Sequence, residues 1–207
     1  SQVAAPYNYD EQSVAEGTVA NNAAGSQGVL RAASACGVER VVFTSSIAAV
    51  GFGGTQEQPL TEQSWSDPAD PYCRSKLESE QAAWHYAQEQ GLDLVALCPS
   101  VVLGPNFYKH TPSTINVGAC INNQVPFRLP MQFSVVDVRD VADAHIRAFE
   151  SKTASGRYLV TGTNVRDLMT ALKEIEPDMV LPERTLTVDE AKQLAEKAGM
   201  PVELVGQ

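Results

Sequence analysis

The 207-residue chain predicts an α/β fold built on a parallel sheet, and three segments carry that prediction. Arg40-Val41-Val42-Phe43-Thr44 and Leu92-Asp93-Leu94-Val95-Ala96-Leu97-Cys98 read as buried strands, rich in β-branched, aromatic and aliphatic side chains. Between them Asp70 suits a helix N-cap, Pro71 the first helical position and Gly91 a C-terminal stop. Strand, helix and strand in that order make a parallel crossover. With 43% hydrophobic residues, the chain can bury the core of one domain or one and a half.

The remaining elements follow in order. Residues 12 to 37 read as a helix, with Val14, Val19, Ala23, Ala24, Val29, Leu30 and Ala33 as its apolar positions and Gly37 as its stop. Residues 51 to 70 hold Gly, Pro, Ser and Asp around a single strong anchor, Trp65, and predict a long loop. Residues 104 to 130 are polar, contain Pro and have little periodicity. Phe133 to Asp137 predicts a strand, Val138 to Ser151 a helix and Arg157 to Thr161 a further strand. Two amphipathic helices, about 164 to 175 and 187 to 199, close the chain, and Thr187-Val188-Asp189-Glu190 is a capping-box pattern for the second. No internal repeat or low-complexity tract is present.

Chemistry enters with Tyr72 and Lys76, which a helix beginning near Pro71 places one turn apart on one face. A phenol of pKa roughly 10 is a poor acid-base group at neutral pH, but a neighbouring cation favours its ionised form. Lys76 would be that cation. The hydroxyl cluster Thr44-Ser45-Ser46 and the turn Pro99-Ser100 follow the two strands, and ligands of open parallel sheets bind beyond the strands' carboxyl ends.

Four segments, in order, resemble the extended short-chain dehydrogenases/reductases. They are Val41-Val42-Phe43-Thr44-Ser45-Ser46-Ile47-Ala48-Ala49-Val50, Tyr72-Cys73-Arg74-Ser75-Lys76, Cys98-Pro99-Ser100-Val101-Val102-Leu103-Gly104-Pro105 and Val136-Asp137-Val138-Arg139-Asp140-Val141-Ala142-Asp143-Ala144-His145. Within that family the likeness is to the group of dihydroflavonol reductases, cinnamoyl-CoA reductases and methylglyoxal or ketone reductases, and it covers most of residues 3 to 170. Gly25-Ser26-Gln27-Gly28-Val29-Leu30 looks like a weathered form of the family's G-T-x-N-V-L.

The resemblance implies a partial Rossmann-like, doubly wound parallel sheet with a small C-terminal substrate-binding α/β region. Residues 1–103 would form the C-terminal half of a cofactor domain, and 104–207 mainly a substrate-binding region, with 133–163 returning to the sheet. It also implies an NAD(P)H-dependent reductase of a small-molecule carbonyl compound, with NADP(H) as the expected cofactor and NAD(H) open. Tyr72 would protonate the carbonyl oxygen, Lys76 would assist it and grip the nicotinamide ribose, and Ser46 would hydrogen-bond the oxygen, with Ser45 as the alternative. Asn22 stands where such proteins often carry an asparagine that orders a proton-relay water. Ala5, Thr44, Ser45, Tyr72, Lys76, Pro99 and Ser100 would contact the cofactor.

The resemblance also exposes an absence. The family's Gly-rich turn, which lets the backbone approach a pyrophosphate at a helix N-terminus, is not found. Gly25-x-x-Gly28 lies inside a helical segment and Gly51-x-Gly53-Gly54 in a loop, and neither follows a strand and opens a helix. Val3-Ala4-Ala5-Pro6 looks like the end of the family's fourth strand, so at ~30 residues per strand-helix-strand unit roughly 60 or more residues would precede it. The 207-residue chain alone is therefore expected to bind its cofactor weakly. It is also expected to leave Val3 to Ala5 and Val41 to Phe43 with an uncovered face or edge that favours self-association.

Composition narrows the partners. A formal charge of -10 argues against nucleic acid and anionic membrane, and no apolar run approaches the ~18 residues of a membrane span. Cysteines 36, 73, 98 and 120 have no metal-like spacing, and Cys36 and Cys98 sit in core-like contexts, which fits reduced thiols in a cytoplasmic protein. His85 and His110 lack ligand spacing and no metal is expected; His145 reads as a structural helix histidine.

Each site residue has a plainer role available. Ser45 and Ser46 could close the strand through hydroxyl-to-backbone bonds, and Asn22 could be a helix-surface residue. Alternative functions are a nucleotide-sugar epimerase or dehydratase, which shares the Ser-Tyr-Lys group, or a non-catalytic binding or assembly module. Gly51 stands where flavonoid-binding members carry asparagine, and Asp70-Pro71 where the cinnamoyl-CoA group has Asn-Trp, so both of those substrates are disfavoured.

Overall fold

The computed structural model describes residues 17–55, 57–68, 71–130, 132–165 and 167–197, with residues 17–22 and 133 described by their backbone only. Ala5, Asp70 and the Val3-to-Pro6 segment lie outside the described residues.

A three-stranded parallel sheet forms the centre. Strand β1 (Arg40–Thr44) pairs with β2 (Asp93–Pro99), Arg40 opposite Asp93 and Thr44 opposite Leu97; β2 pairs in turn with β5 (Gly156–Val160). Helices α1 (Gly17–Ala35) and α2 (Pro71–Gln90) cover one face, and α4 (Val138–Glu150) covers the other. Alternation along the strands decides which residue faces which layer. Val41 and Phe43 pack with Leu30, Ala83, Ala87 and Leu94, whereas Val42 packs with Val95, Leu97 and Ala148. Val41, Val42 and Phe43 are all buried, so of the uncovered face or edge expected for this strand the face is not found, whereas among the described residues β1 pairs on one edge only, with β2.

Both long helices end through backbone bonds that satisfy their last carbonyls. After α1, Gly37 N–H donates to Ser34 O and Val38 N–H to Ala33 O. After α2, Leu92 N–H donates to Ala87 O, with Gly91 at φ +64 in the left-handed conformation that costs glycine least. Each reversal delivers the chain directly into a buried strand.

The C-terminal region differs from expectation in several places. Residues 104–130 hold helix α3 (Pro112–Ile121), whose capping box joins Thr111 and Thr114. A second small sheet contains β3 (Val101–Leu103), β4 (Phe133–Asp137) and β6 (Thr163–Val165), ordered β3-β4-β6. Of segment 133–163, β5 thus joins the central sheet, while β4 joins the second. The helix expected from 164 begins later, as α5 (Leu168–Ile175), because 163–165 is taken by β6 and Asp167 supplies the N-cap. Helix α6 (Val188–Lys197) has its Thr187–Glu190 capping box. Cys120, Met169 and Met179 form the core of this region. Cys36 is exposed rather than core, because it lies beyond the end of α1; Cys73, Cys98 and Cys120 are buried. Among the described residues, no helix is long and apolar enough to cross a membrane.

Candidate functional site

At the carboxyl end of β1 three consecutive hydroxyls take three different partners. Thr44 Oγ1 lies 2.7 Å from His145 Nε2, while His145 Nδ1 is 2.8 Å from Val141 O. A carbonyl only accepts, so Nδ1 carries the proton and, in the neutral ring, Nε2 accepts from Thr44. Ser45 is buried and donates to Glu80 Oε2 at 2.5 Å. Ser46, in extended backbone, caps the 3₁₀ turn Ile47–Ala49, its Oγ accepting Ala48 N–H at 3.1 Å. Accepting there leaves the Ser46 hydroxyl proton to be donated elsewhere. The geometry therefore separates Ser46 from Ser45, whose proton is committed to a carboxylate.

Helix α2 packs against the 3₁₀ turn that Ser46 caps. Lys76 Nζ is 5.7 Å from the centroid of the Tyr72 ring, the one-turn relation that the spacing predicts. Burial pushes the Lys76 ammonium below the ordinary lysine pKa, and a cation short of water acts more strongly on its neighbours. Pro99 ends β2 beside this corner. Ser100 follows it; its N–H donates to Val160 O at 3.1 Å, and its Oγ is buried with no hydrogen-bond partner among the described residues. Asn22 lies within α1, its side chain outside the description; Ala5 is outside it altogether.

Sequence reasoning missed Glu80 and Arg157. Glu80 sits on the buried face of α2 with Cys73, Ala83 and Ala87, and its side chain is fully buried. Arg157 Nε meets Glu80 Oε1 at 2.7 Å. The signal was available, since an acidic residue at the apolar positions of a helix needs a buried partner. Glu80 also shapes Cys98. Burial first, then the Glu80 carboxylate, pushes the Cys98 thiol up to about 12, so the thiol keeps its proton. Among the described residues, no three His, Cys, Asp or Glu side chains gather where they could hold a metal ion.

Comparison with known proteins decides the family. The model of the NAD dependent epimerase/dehydratase family matches residues 3–162. The chain belongs to that family. Cinnamoyl-CoA reductase 1 of Petunia hybrida is 36% identical over 169 residues, covering 76% of this chain and 51% of the relative. Dihydroflavonol 4-reductase of Hordeum vulgare is 28% identical over 207 residues, covering 92% of this chain and 58% of the relative. The crystal structure of yeast methylglyoxal/isovaleraldehyde reductase, solved with NADPH, superposes with a TM-score of 0.73 at 25% identity, over 93% of this chain and 69% of that one. The chain thus spans little more than half the length of these curated relatives. The family's Gly-rich turn has no counterpart among the described residues: Gly25 and Gly28 lie within α1, and Gly51, Gly53 and Gly54 lie in the loop after the 3₁₀ turn.

Proposed function

We propose that this chain carries the catalytic corner of an NAD(P)H-dependent carbonyl reductase, with Ser46, Tyr72 and Lys76 as its reacting group. The observation that carries the reading is the pairing of a Ser46 hydroxyl free to donate with the Tyr72–Lys76 pair on the helix packed against it. The reductase relatives favour reduction over epimerisation.

A nicotinamide cofactor fits this end of the sheet, because among the described residues the buried Ser100 Oγ has no partner and the Ser46 proton has no acceptor. Pro99, Ser100 and Lys76 would hold its nicotinamide half. When bound, the cofactor supplies the hydride, which no side chain can donate. Ser46 donates to the substrate's carbonyl oxygen and orients it, holding charge as it builds there. Tyr72 passes its proton to that oxygen. Lys76 stabilises the phenolate that remains. Tested by itself, a polypeptide of residues 1–207 is expected to bind NADPH weakly, because the Gly-rich turn that would hold a pyrophosphate has no counterpart among the described residues.

Calorimetric titration with NADPH, and turnover of small aldehydes and ketones at millimolar NADPH, test the two parts separately. Tyr72→Phe is expected to abolish turnover and leave NADPH affinity unchanged. Turnover that survives in that variant would remove the proton-donor role. Micromolar affinity in the 207-residue polypeptide would remove only the weak-binding claim.

A further inference from the structure

Glu80 and Arg157 stand outside the reacting group, yet they join the elements that carry it. Glu80 is one helical turn beyond Lys76 on α2, and Arg157 comes from β5 with its side chain 7% exposed. The guanidinium meets the carboxylate in a fork, Nε to Oε1 at 2.7 Å and Nη2 to Oε2 at 3.3 Å. Nη1 donates to the carbonyls of Glu62 at 3.0 Å and Ser64 at 2.5 Å, and the group lies 3.7 Å from the Trp65 ring centroid. Glu80 in turn accepts from Ser45 Oγ and, at 3.1 Å, from Trp84 Nε1. A planar guanidinium can meet a carboxylate, two carbonyls and an aromatic face together, whereas an ammonium cannot. A buried ion pair offsets its desolvation only when such a set of partners is complete.

We propose that the Glu80–Arg157 pair is a positioning device for the reductase corner. Through Ser45, Glu80 fixes the neighbouring Ser46 relative to the helix that carries Tyr72 and Lys76. Through two carbonyls and Trp65, Arg157 fixes the loop around residues 62–65 against the same ion pair. The loop and the hydroxyl corner are therefore held by one fork and are freed together when it is lost. This inference rests on the reductase reading of Ser46, Tyr72 and Lys76, but its test uses no turnover.

The chain has two tryptophans, both touching the ion pair, so Trp84→Phe leaves Trp65 as the sole reporter. In that background Arg157→Lys keeps the charge and removes the fork. Acrylamide quenching of Trp65 is expected to rise about twofold as the stacked cation leaves. Amide exchange at Ser66, bonded to Ala49 O, and at Ala48, bonded to Ser46 Oγ, is expected to quicken about tenfold by local opening, with Ala171 in α5 unchanged. Unchanged quenching, or faster exchange at all three amides alike, would overturn the proposal. So would a faster Ser66 with an unchanged Ala48, which would make the pair a loop fastening without influence on Ser46. Trp65→Leu, which leaves the ion pair intact, is the second variant should Arg157→Lys not fold. It is expected to quicken Ser66 and leave Ala48 alone, and a quickened Ala48 there would overturn the link through Glu80. Failure of this pattern leaves the reductase reading standing, and loss of turnover alone does not touch it.

Discussion

Two arginines anchor the outer strands of the central sheet, each pairing its Nε with a carboxylate, in very different surroundings. Arg40, at the amino end of β1, meets Asp93 at 2.8 Å, and Asp93 is 46% exposed. Its Nη atoms go to carbonyls at and beyond the end of α4: Ala148 O at 2.9 Å, Ala154 O at 3.2 Å, and Ser151 O. Arg157 meets a carboxylate with no exposure at all. Water can replace Arg40 as a partner of Asp93, but nothing can replace Arg157 as a partner of Glu80. In the first pair the acid is dispensable and the cation does the joining. In the second each partner depends on the other.

The sharpest way to break that contrast is Arg157→Met, which strands the buried Glu80 carboxylate and is expected to cost about 3–5 kcal/mol in urea unfolding. A loss no larger than that of an exposed pair would erase the difference between the two pairs.

Lys76 supplies an intermediate case, a cation whose pKa is lowered by burial. Between that lowered pKa and the 10.5 of an unburied lysine, the unfolded chain binds more protons than the folded one, so stability rises with pH. Below the lowered pKa the burial penalty is present in full. Lys76→Met is therefore expected to be at least as stable as the parent at pH 7, with the difference shrinking as pH climbs towards 10.5, while turnover falls. Urea midpoints of both proteins across that range check this, and a variant less stable at pH 7 would make Lys76 a structural residue.

The smallest effect is expected at Asp93→Asn, about 0–1 kcal/mol in the same measurement, because the lost pair is solvated. A larger loss would mean that the amino-end pair resembles the buried one after all.

The sequence made the central layers legible because their signals are local. Continuous apolar runs mark β1 and β2, end signals at Pro71 and Gly91 mark α2, and the Tyr72–Lys76 relation follows from helical spacing alone. Helix α3 has little apolar periodicity in its sequence, and its local signal is the Thr111–Thr114 capping box with proline at the first position. Strands β3 and β6 are three residues each and exist through their pairing with β4, which no local pattern encodes. The resemblance places Ser46 before Ser45 but allows a slip of one position, and the partners that distinguish the two hydroxyls, Glu80 for Ser45 and Ala48 N–H for Ser46, are visible only in the fold. Arg157, 77 residues away from Glu80, could not be assigned to it before the fold brought β5 beside β2.

That separation bears on how the chain is made. Glu80 leaves the ribosome 77 residues before Arg157, and until the later strand emerges its carboxylate must keep its water. The helix that carries Tyr72 and Lys76 can form early, but it cannot seat against Ser45 in a dry core. Although α1, β1, α2 and β2 are contiguous, vectorial synthesis holds their last layer of packing open until a strand from the far side of the sheet arrives.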